Sequence, residues 1–587
     1  LIGAAIMVSG THRGTTTDID GNYELTLPDG IYDISVGYIG YNDTIIRNQK
    51  IAGETIANFE LTQAANELAE VVVKVRRRFD SEIMQVEQQR QSFVIQTGVS
   101  AQQIALTQDK DASEVIRRVP GVSIIDDKFV MVRGLSQRYN NVWLNGSAVP
   151  SSEADSRAFS FDILPSSQLD NIVIIKSPAP EYPADFSGGF VLVNTKQQPT
   201  HSGLNISLGL GNNSNTHFHK FLSSKGGKTD FLGFDNGFRS LKAGMTGDLN
   251  SYNGAPGKFD LLNNGFNNDW ILRTTHPVVD IKFNMSYNDV WKFSGGESLG
   301  LLAALNYSNA YKTYTDMENS LYGPYDTRND KFVFLRKATD DQYNHDIRLG
   351  ALMNMFFQPK NQDHLFEWKN IINQIGKNRY SERSGFNAQP DRIEDHEYYF
   401  SSRTTYSTQF TGKHDFNSNH IDWSIGYAYA NRNMPDRRLI QRTDRTEQRM
   451  SIYRISREFS RLDEHIGSIG ANYKKDFHFG EFTPTLKAGV YGEYRTRIYR
   501  TRQFQYGWEP DNNLPSDLLF NDDIPGTVLI DDNYGPDKLY LYEEVNYLNN
   551  YEGSFRQASG YLGINLPWNN LNVYAGVRYE SCRQSLK

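Results

Sequence analysis

From Gly203 onward one pattern recurs, long runs in which apolar and polar residues alternate, and a period of two dictates extended strands with two chemically different faces. Val279, Ile281, Phe283, Met285 and Tyr287 alternate with Asp280, Lys282, Asn284, Ser286 and Asn288. The alternation returns in Ile347, Leu349, Ala351, Met353, Met355 and Phe357, in Ile421, Trp423, Ile425, Tyr427 and Tyr429, and in Leu571, Val573, Ala575, Val577 and Tyr579. An apolar face toward lipid and a polar face toward a lumen describe a transmembrane antiparallel β-barrel, in which closure leaves no backbone group unpaired in hydrocarbon. Most of the 34 Tyr and 33 Phe fall in such short alternating segments, while no run of eighteen apolar residues exists, so strands rather than helices are expected to cross the membrane. Pro567-Trp568-Asn569-Asn570 reads as a tight turn, whereas 221–275, 376–399 and 508–538 read as long polar loops. Residues 201–587 are assigned to the barrel.

The rest of the composition excludes other classes. A net charge of -8 with dispersed acidic residues argues against a nucleic-acid surface, and the single cysteine, Cys582, rules out an intramolecular disulfide framework or a multi-cysteine metal site. Asp18-x-Asp20-Gly21 begins like a calcium loop but has no later bidentate Glu, so it is read as a hairpin turn. His217-x-His219 would place two imidazoles on one strand face, but with no third ligand nearby they are read as loop histidines. No phosphate loop and no nucleophile, base and orienter set is present, so no enzyme activity, cofactor or metal is expected.

Three smaller parts precede the barrel. Residues 1–65 alternate short strands and turns at a spacing that suggests a small β-sandwich. Gly14-Thr15-Thr16-Thr17-Asp18-Ile19-Asp20-Gly21-Asn22-Tyr23, Gly30-Ile31-Tyr32 and Gly37-Tyr38-Ile39-Gly40-Tyr41 resemble the carboxypeptidase regulatory-like domain, which carries no catalytic residues. Residues 66–91 form a linker in which Glu70 precedes Val71, Val72, Val73 and Val75. This segment resembles the TonB box of Bacteroidetes receptors, and the resemblance implies β-augmentation of a partner's sheet. Residues 92–200 read as an α+β unit with a short amphipathic helix over 112–119 and strands at 122–125, 130–133, 142–144 and 172–175. Val119-Pro120-Gly121-Val122, Val132-Arg133-Gly134-Leu135, Val142-Trp143-Leu144-Asn145-Gly146, Ile172 to Pro178 and Ser187-Gly188-Gly189 through Lys196 resemble, in order, the plug of TonB-dependent outer-membrane transporters.

The resemblance implies a mainly β protein of sandwich, plug and barrel, with no catalytic residues. About 14 strands against the ~22 of plugged transporters would leave the barrel unclosed, so a fragment is expected; Leu1, inside an apparent strand with no initiator Met, suggests a processed or trimmed start. The plug motif residues are Arg133, Gly134, Asn145, Gly146, Gly188 and Gly189, and the resemblance implies that Arg133 pairs with barrel glutamates. Tyr139, Trp143 and Arg157, on plug loops, are candidate ligand contacts by stacking or charge. The implied function is TonB-dependent import of a scarce small-molecule, glycan or peptide ligand across a bacterial outer membrane, with the first domain in the periplasm. TonB with its inner-membrane motor and outer-membrane lipid are the implied partners, and a lipoprotein partner has no sequence hallmark. The alternative is an outer-membrane adhesion or assembly scaffold without import.

Overall fold

A computed structural model describes residues 1–587 apart from 2, 9–13, 19, 39–40, 42–43, 54, 62–81, 108, 198, 200–201, 243–264, 390, 445–448, 481, 510–512 and 569–570. Two compact units divide the chain, 1–78 and 79–587.

In the first unit, β1 (Ala5–Val8), β2 (Gly14–Thr16), β3 (Gly30–Gly37) and β4 (Thr44–Ile51) form one antiparallel sheet in the order β2-β1-β3-β4. Ala4, Ile6, Ile34 and Val36 are its buried face, and Tyr23, Leu25, Phe59 and Leu61 pack against them. The stretch Tyr23–Leu27, which alternates like a strand, is extended without ladder pairing and covers the sheet by side chains. Asp18 does what a turn residue does, accepting the backbone N–H groups of Asp20 and Asn22 at 3.0 and 2.7 Å.

The second unit opens with α1 (Glu82–Gln91), in the segment read as linker, followed by β5 (Gln96–Val99), α2 (Ala101–Leu106) and α3 (Ala112–Ile116). The helix expected over 112–119 stops at Ile116, because a rigid Pro120 and a left-handed Gly121, φ 78°, turn the chain into the next strand. There follow β6 (Val122–Ile125), β7 (Phe129–Val132), β8 (Asn141–Leu144), β9 (Ser147–Ala148), β10 (Leu169–Ile175) and β11 (Phe190–Thr195). In the sheet β5-β10-β11-β8-β9 the strand β10 lies between β5 and β11, and all seven of its residues are buried. Val115, Ile116, Ile172, Ile174 and Val191 form the middle of its core, where burial of apolar area is the main stabilising term.

The remaining strands are β12 (Gly203–Gly211), the short β13 (Phe221–Ser223) and β14 (Arg273–Thr275), and β15 (Asp280–Lys292), β16 (Ser298–Asp326), β17 (Lys331–Gln358), β18 (His364–Asn387), β19 (Arg392–Phe416), β20 (Asn419–Thr443), β21 (Ser451–Asp476), β22 (Thr485–Trp508), β23 (Leu539–Glu544), β24 (Tyr551–Trp568) and β25 (Leu571–Leu586). Twelve of them form one antiparallel sheet in sequence order, with β23 paired to β22 and β13–β14 forming a separate ribbon. About 14 strands were expected from the alternation. The region 376–399, expected as a long loop, is strand up to Asn387 and again from Arg392, held by the Lys377↔Ser401 to Phe386↔Arg392 register. Its polar character comes from strand length: β16 has 29 residues and β18 has 24, where about 9–11 suffice to cross a bilayer.

The two faces of this sheet separate as the alternation predicts. Asn306, Arg348, Gln409 and Arg578 reach residues 120–200 from one face. On the other face, within a few residues of the short turns, Met285, Leu305, Met353, Trp368, Phe410, Ile425, Ile469, Val490, Leu562 and Val577 form an exposed apolar band. Toward the long-loop end that same outer face is covered. Residues 213–242 and 265–279, which take in the described part of the expected 221–275 loop, lie against it through Phe221 on Tyr311 and Tyr343, and Trp270 on Tyr398.

Candidate functional site

The site grows from the turn between β8 and β9. Asn145 and Gly146 have φ of 54° and 91°, and the Asn145 carboxamide oxygen accepts the Thr195 backbone N–H at 2.9 Å, so the chain reverses tightly and is tied to β11. The loop that follows is closed by Ser151, whose hydroxyl donates to the carbonyls of Ser156 and Ala158 at 2.9 and 2.7 Å. That closure presents Glu153, Ala154 and Asp155 to the wall of the long sheet.

Glu153 is the hub. Its carboxylate lies 3.0 Å from Lys128 Nζ, 3.3 Å from Arg403 and 3.4 Å from Arg432, and it accepts the Ser160 hydroxyl at 3.0 Å. Burial by itself would raise its pKa, but the three cations outweigh it and hold the carboxyl below its ordinary range. Asp162, half-buried, is lowered in the same way by Arg403, with which it forms a very short ion pair. Arg348 donates to Asp111 Oδ2 and to the Asp162 carbonyl, both at 2.8 Å, while Asp111 Oδ1 caps α3 through the Ser113 and Glu114 N–H groups. On the far side of the loop Glu464 holds Arg495 at 3.0 Å and Arg497 at 2.5 Å, and accepts Ser151 N–H at 3.3 Å. Arg497 donates to the carbonyls of Glu153, Ala154 and Ser156, and Tyr551 donates to that of Ala154 at 2.7 Å. Asp111, Glu153 and Asp162 thus meet a row of wall arginines, Arg348, Arg403 and Arg432.

Beside this hub is a cavity of about 330 Å³ bounded by Ala154 and Asp155 below and by Lys377, Arg379, Glu397, Tyr399, Arg437, Glu458 and Tyr499 on the wall. Glu397 bridges Arg379 and Arg437 at 2.6 Å each, and Glu458 holds Arg437 at 3.1 Å. A ligand there would touch the loop that carries Glu153.

Of the residues nominated from sequence, Trp143 and Arg157 meet in a second, smaller cavity of about 140 Å³, and Tyr139 lies outside it. Trp143 stacks on Tyr491 of the wall, centroids 4.9 Å apart, and meets Phe190 edge-on at 5.1 Å. Arg157 pairs with Asp185 at 3.3 Å, and Tyr139 sits exposed on a single helical turn with the Arg138 guanidinium 5.3 Å from its ring centroid. Arg133, at φ 55° beside Gly134 at 75°, donates to the carbonyls of Ser187 and Gly188 at 2.9 and 2.7 Å, contacts inside its own domain. A Cβ on Gly188 would fall 2.1 Å from Asn140 Oδ1, and one on Gly189 3.0 Å from Val132, so the pair lets β11 enter against β7 and β8. Glu70, Val71, Val72, Val73 and Val75 lie outside the described residues. His217 and His219 sit in a turn rather than on a strand face: His217 is buried and bonds Asn213 N–H and Asp280, and His219 bonds the His217 carbonyl.

Sequence reasoning did not single out Glu153, Asp162, Arg403, Arg432, Glu464 or Arg497 as partners. One signal existed: Arg403 and Arg432 lie opposite each other in the β19–β20 register, as do Glu464 and Arg497 in β21–β22, so charge accumulates on one face of otherwise alternating strands.

Residues 1–73 match the CarboxypepD_reg-like domain family, and residues 87–190 match the TonB-dependent Receptor Plug Domain family. The vitamin B12 transporter BtuB of Photobacterium profundum is 32% identical over 119 residues, 19% of this chain and 19% of that protein. The TonB-dependent receptor P39 of Formosa agariphila is 27% identical over 253 residues, 39% of this chain and 22% of that protein. The chain spans about a fifth of the length of these relatives. Among solved structures, the siderophore receptor PiuA from Acinetobacter baumannii aligns over 84% of this chain and 61% of its own, with 10% identity and a TM-score of 0.41. Residues 1–73 thus carry a CarboxypepD_reg-like domain and residues 87–190 a TonB-dependent receptor plug domain, and a long antiparallel sheet follows them in the chain.

Proposed function

We propose that the protein imports a scarce ligand across the bacterial outer membrane, driven by TonB, with the plug as the gate. The observation that carries this reading is that one loop, 151–157, both lines the 330 Å³ wall cavity and holds the plug to the sheet through Glu153. A ligand entering the cavity competes for or reorders the arginines Arg432 and Arg437, which face the cavity and reach Glu153 and Glu397. Ligand occupancy is thereby coupled to plug attachment, since an effect on one side of a shared charge network appears on the other. The apolar band on the opposite face supplies the lipid contact, and the polar extensions of β16–β22 stand above it.

Residues 70–75 would then hand the periplasmic energy transducer a strand, with backbone hydrogen bonds making most of the contact. The regulatory-like domain, which precedes them, would share that periplasmic side. The ligand is of small-molecule, glycan or peptide class, and a cavity walled by paired charges and tyrosines favours one with both donors and acceptors. A lipoprotein cap over the long loops is compatible with this arrangement. The test is deletion of residues 70–75 in the full-length gene, in a strain lacking the native copy, grown on limiting iron, cobalamin, peptide and glycan sources. Binding is expected to survive and growth on one source to fail; unchanged uptake overturns the reading in favour of a loop-presenting scaffold.

A further inference from the structure

Strands β18 to β20 carry a second cavity, back to back with the first. Arg379, Glu397 and Arg437 face the plug side, and the next residue on each strand, Tyr380, Tyr398 and Arg438, faces away from it. On that outer face a cavity of about 450 Å³ is enclosed between the strands and two covering segments, Ile271-Leu272 and Asp522 to Gly526. It therefore lies across the sheet from the plug.

Its walls are of two kinds. Ile271, Leu272, Ile440 and Ile524 with the rings of Tyr380 and Tyr398 make an apolar, aromatic body. The polar groups are dominated by carboxylates: Glu382, Asp522 and Asp523 against one guanidinium, Arg442. That guanidinium is already committed, since it is buried and bonds Glu394 at 3.1 Å and Asp522. Glu382 accepts the Tyr380 hydroxyl at 2.8 Å and Asp523 accepts Gly526 N–H at 3.0 Å, both neutral donors. Among the described residues no Lys or Arg pairs with either carboxylate, and the one basic ring near Glu382, His396 at 3.9 Å, is turned to Glu394 at 2.7 Å. The cavity thus presents two carboxylates without a Lys or Arg partner among the described residues, at the rim of an apolar, aromatic pocket of small-ligand size. Surplus negative charge disfavours an anion, and the predominance of apolar wall disfavours a neutral polyol.

We infer that this outer-wall cavity binds a small organic cation, an ammonium or guanidinium group on an apolar stem, with the charge at Glu382 and Asp523 and the stem against Tyr380, Tyr398 and Ile440. Carboxylate pairing and the π-faces of the tyrosines both favour the cation over a neutral molecule of the same shape.

The experiment is titration calorimetry of the whole protein in lipid nanodiscs, empty nanodiscs subtracted, with 4-phenylbutylamine at neutral pH and its uncharged counterpart 4-phenylbutanol. Saturable binding of the amine is expected, about tenfold or more tighter than the alcohol. Glu382→Gln combined with Asp523→Asn, both isosteric changes at solvent-open carboxylates, is expected to remove that preference, and Glu458→Gln in the plug-side cavity to leave it unchanged. Equal affinity for amine and alcohol, retention of the preference in the double variant, its loss in Glu458→Gln, or no saturable amine binding overturns the inference.

Discussion

At Glu153 three cations converge on one carboxylate, and removing the charge leaves Arg403 and Arg432 partly uncompensated in a buried site. Glu153→Gln is therefore expected to destabilise the docked plug by about 2–4 kcal/mol, read from the urea midpoint of the purified protein. A midpoint equal to wild type would show that the wall arginines are held elsewhere. The same residues set a pH dependence. Glu153 and Asp162 have lowered pKa values in the folded state, so their stabilisation is complete above the ordinary carboxylate value and is lost as pH falls through the lowered one. The plug is expected to resist pepsin at pH 5 and to become cleavable in the 151–163 region only below about pH 4. Equal cleavage rates at the two pH values in a Glu153→Gln, Asp162→Asn variant would confirm which carboxylates are responsible.

At the scale of elements, the strap 213–242 illustrates how one contact fixes a long connection. Gly233, at φ 81°, lies so close to Gly376 of β18 that a Cβ on Gly376 would meet Gly233 Cα at 2.4 Å, and Gln374 donates to the Gly233 carbonyl at 2.5 Å. Backbone cannot yield as a flexible side chain does, so Gly376→Ala is expected to lift the strap while leaving the ladder of β17 to β19 paired. Hydrogen exchange should rise in 229–236 and stay slow in 366–375; unchanged protection of 229–236 would show that the strap is held without this contact. Farther along the outer face, Arg438 and Arg457 share Asp436 in full burial, and the carbonyls of Asp269 and Asn267 each accept one further N–H, from Arg438 at 2.7 Å and from Arg457 at 2.6 Å. A covering loop thus supplies acceptors to two buried cations.

For the whole molecule, the division between what was legible and what was not follows the range of the interactions. The strand alternation of 279–288, 347–357, 421–429 and 571–579 is a local property of neighbouring residues, and the structure turns each apolar set away from the plug as that alternation predicts. The plug strands were legible for the same reason, since Pro120-Gly121 and Asn145-Gly146 punctuate them with local backbone requirements. The strap was not: Phe221, Leu222, Phe266 and Trp270 are sparse anchors among polar residues, without a period to mark them as buried. The polar run 376–399 looked like a loop because its strands continue well past the apolar band, where neither face needs to be apolar. The sequence by itself determined strands, their faces and the plug, because period and turn chemistry act over a few residues. Only the tertiary structure decided that Glu153 meets Arg403 and Arg432, 250 and 279 positions away, because such pairing depends on sheet register and plug docking, which no local pattern encodes.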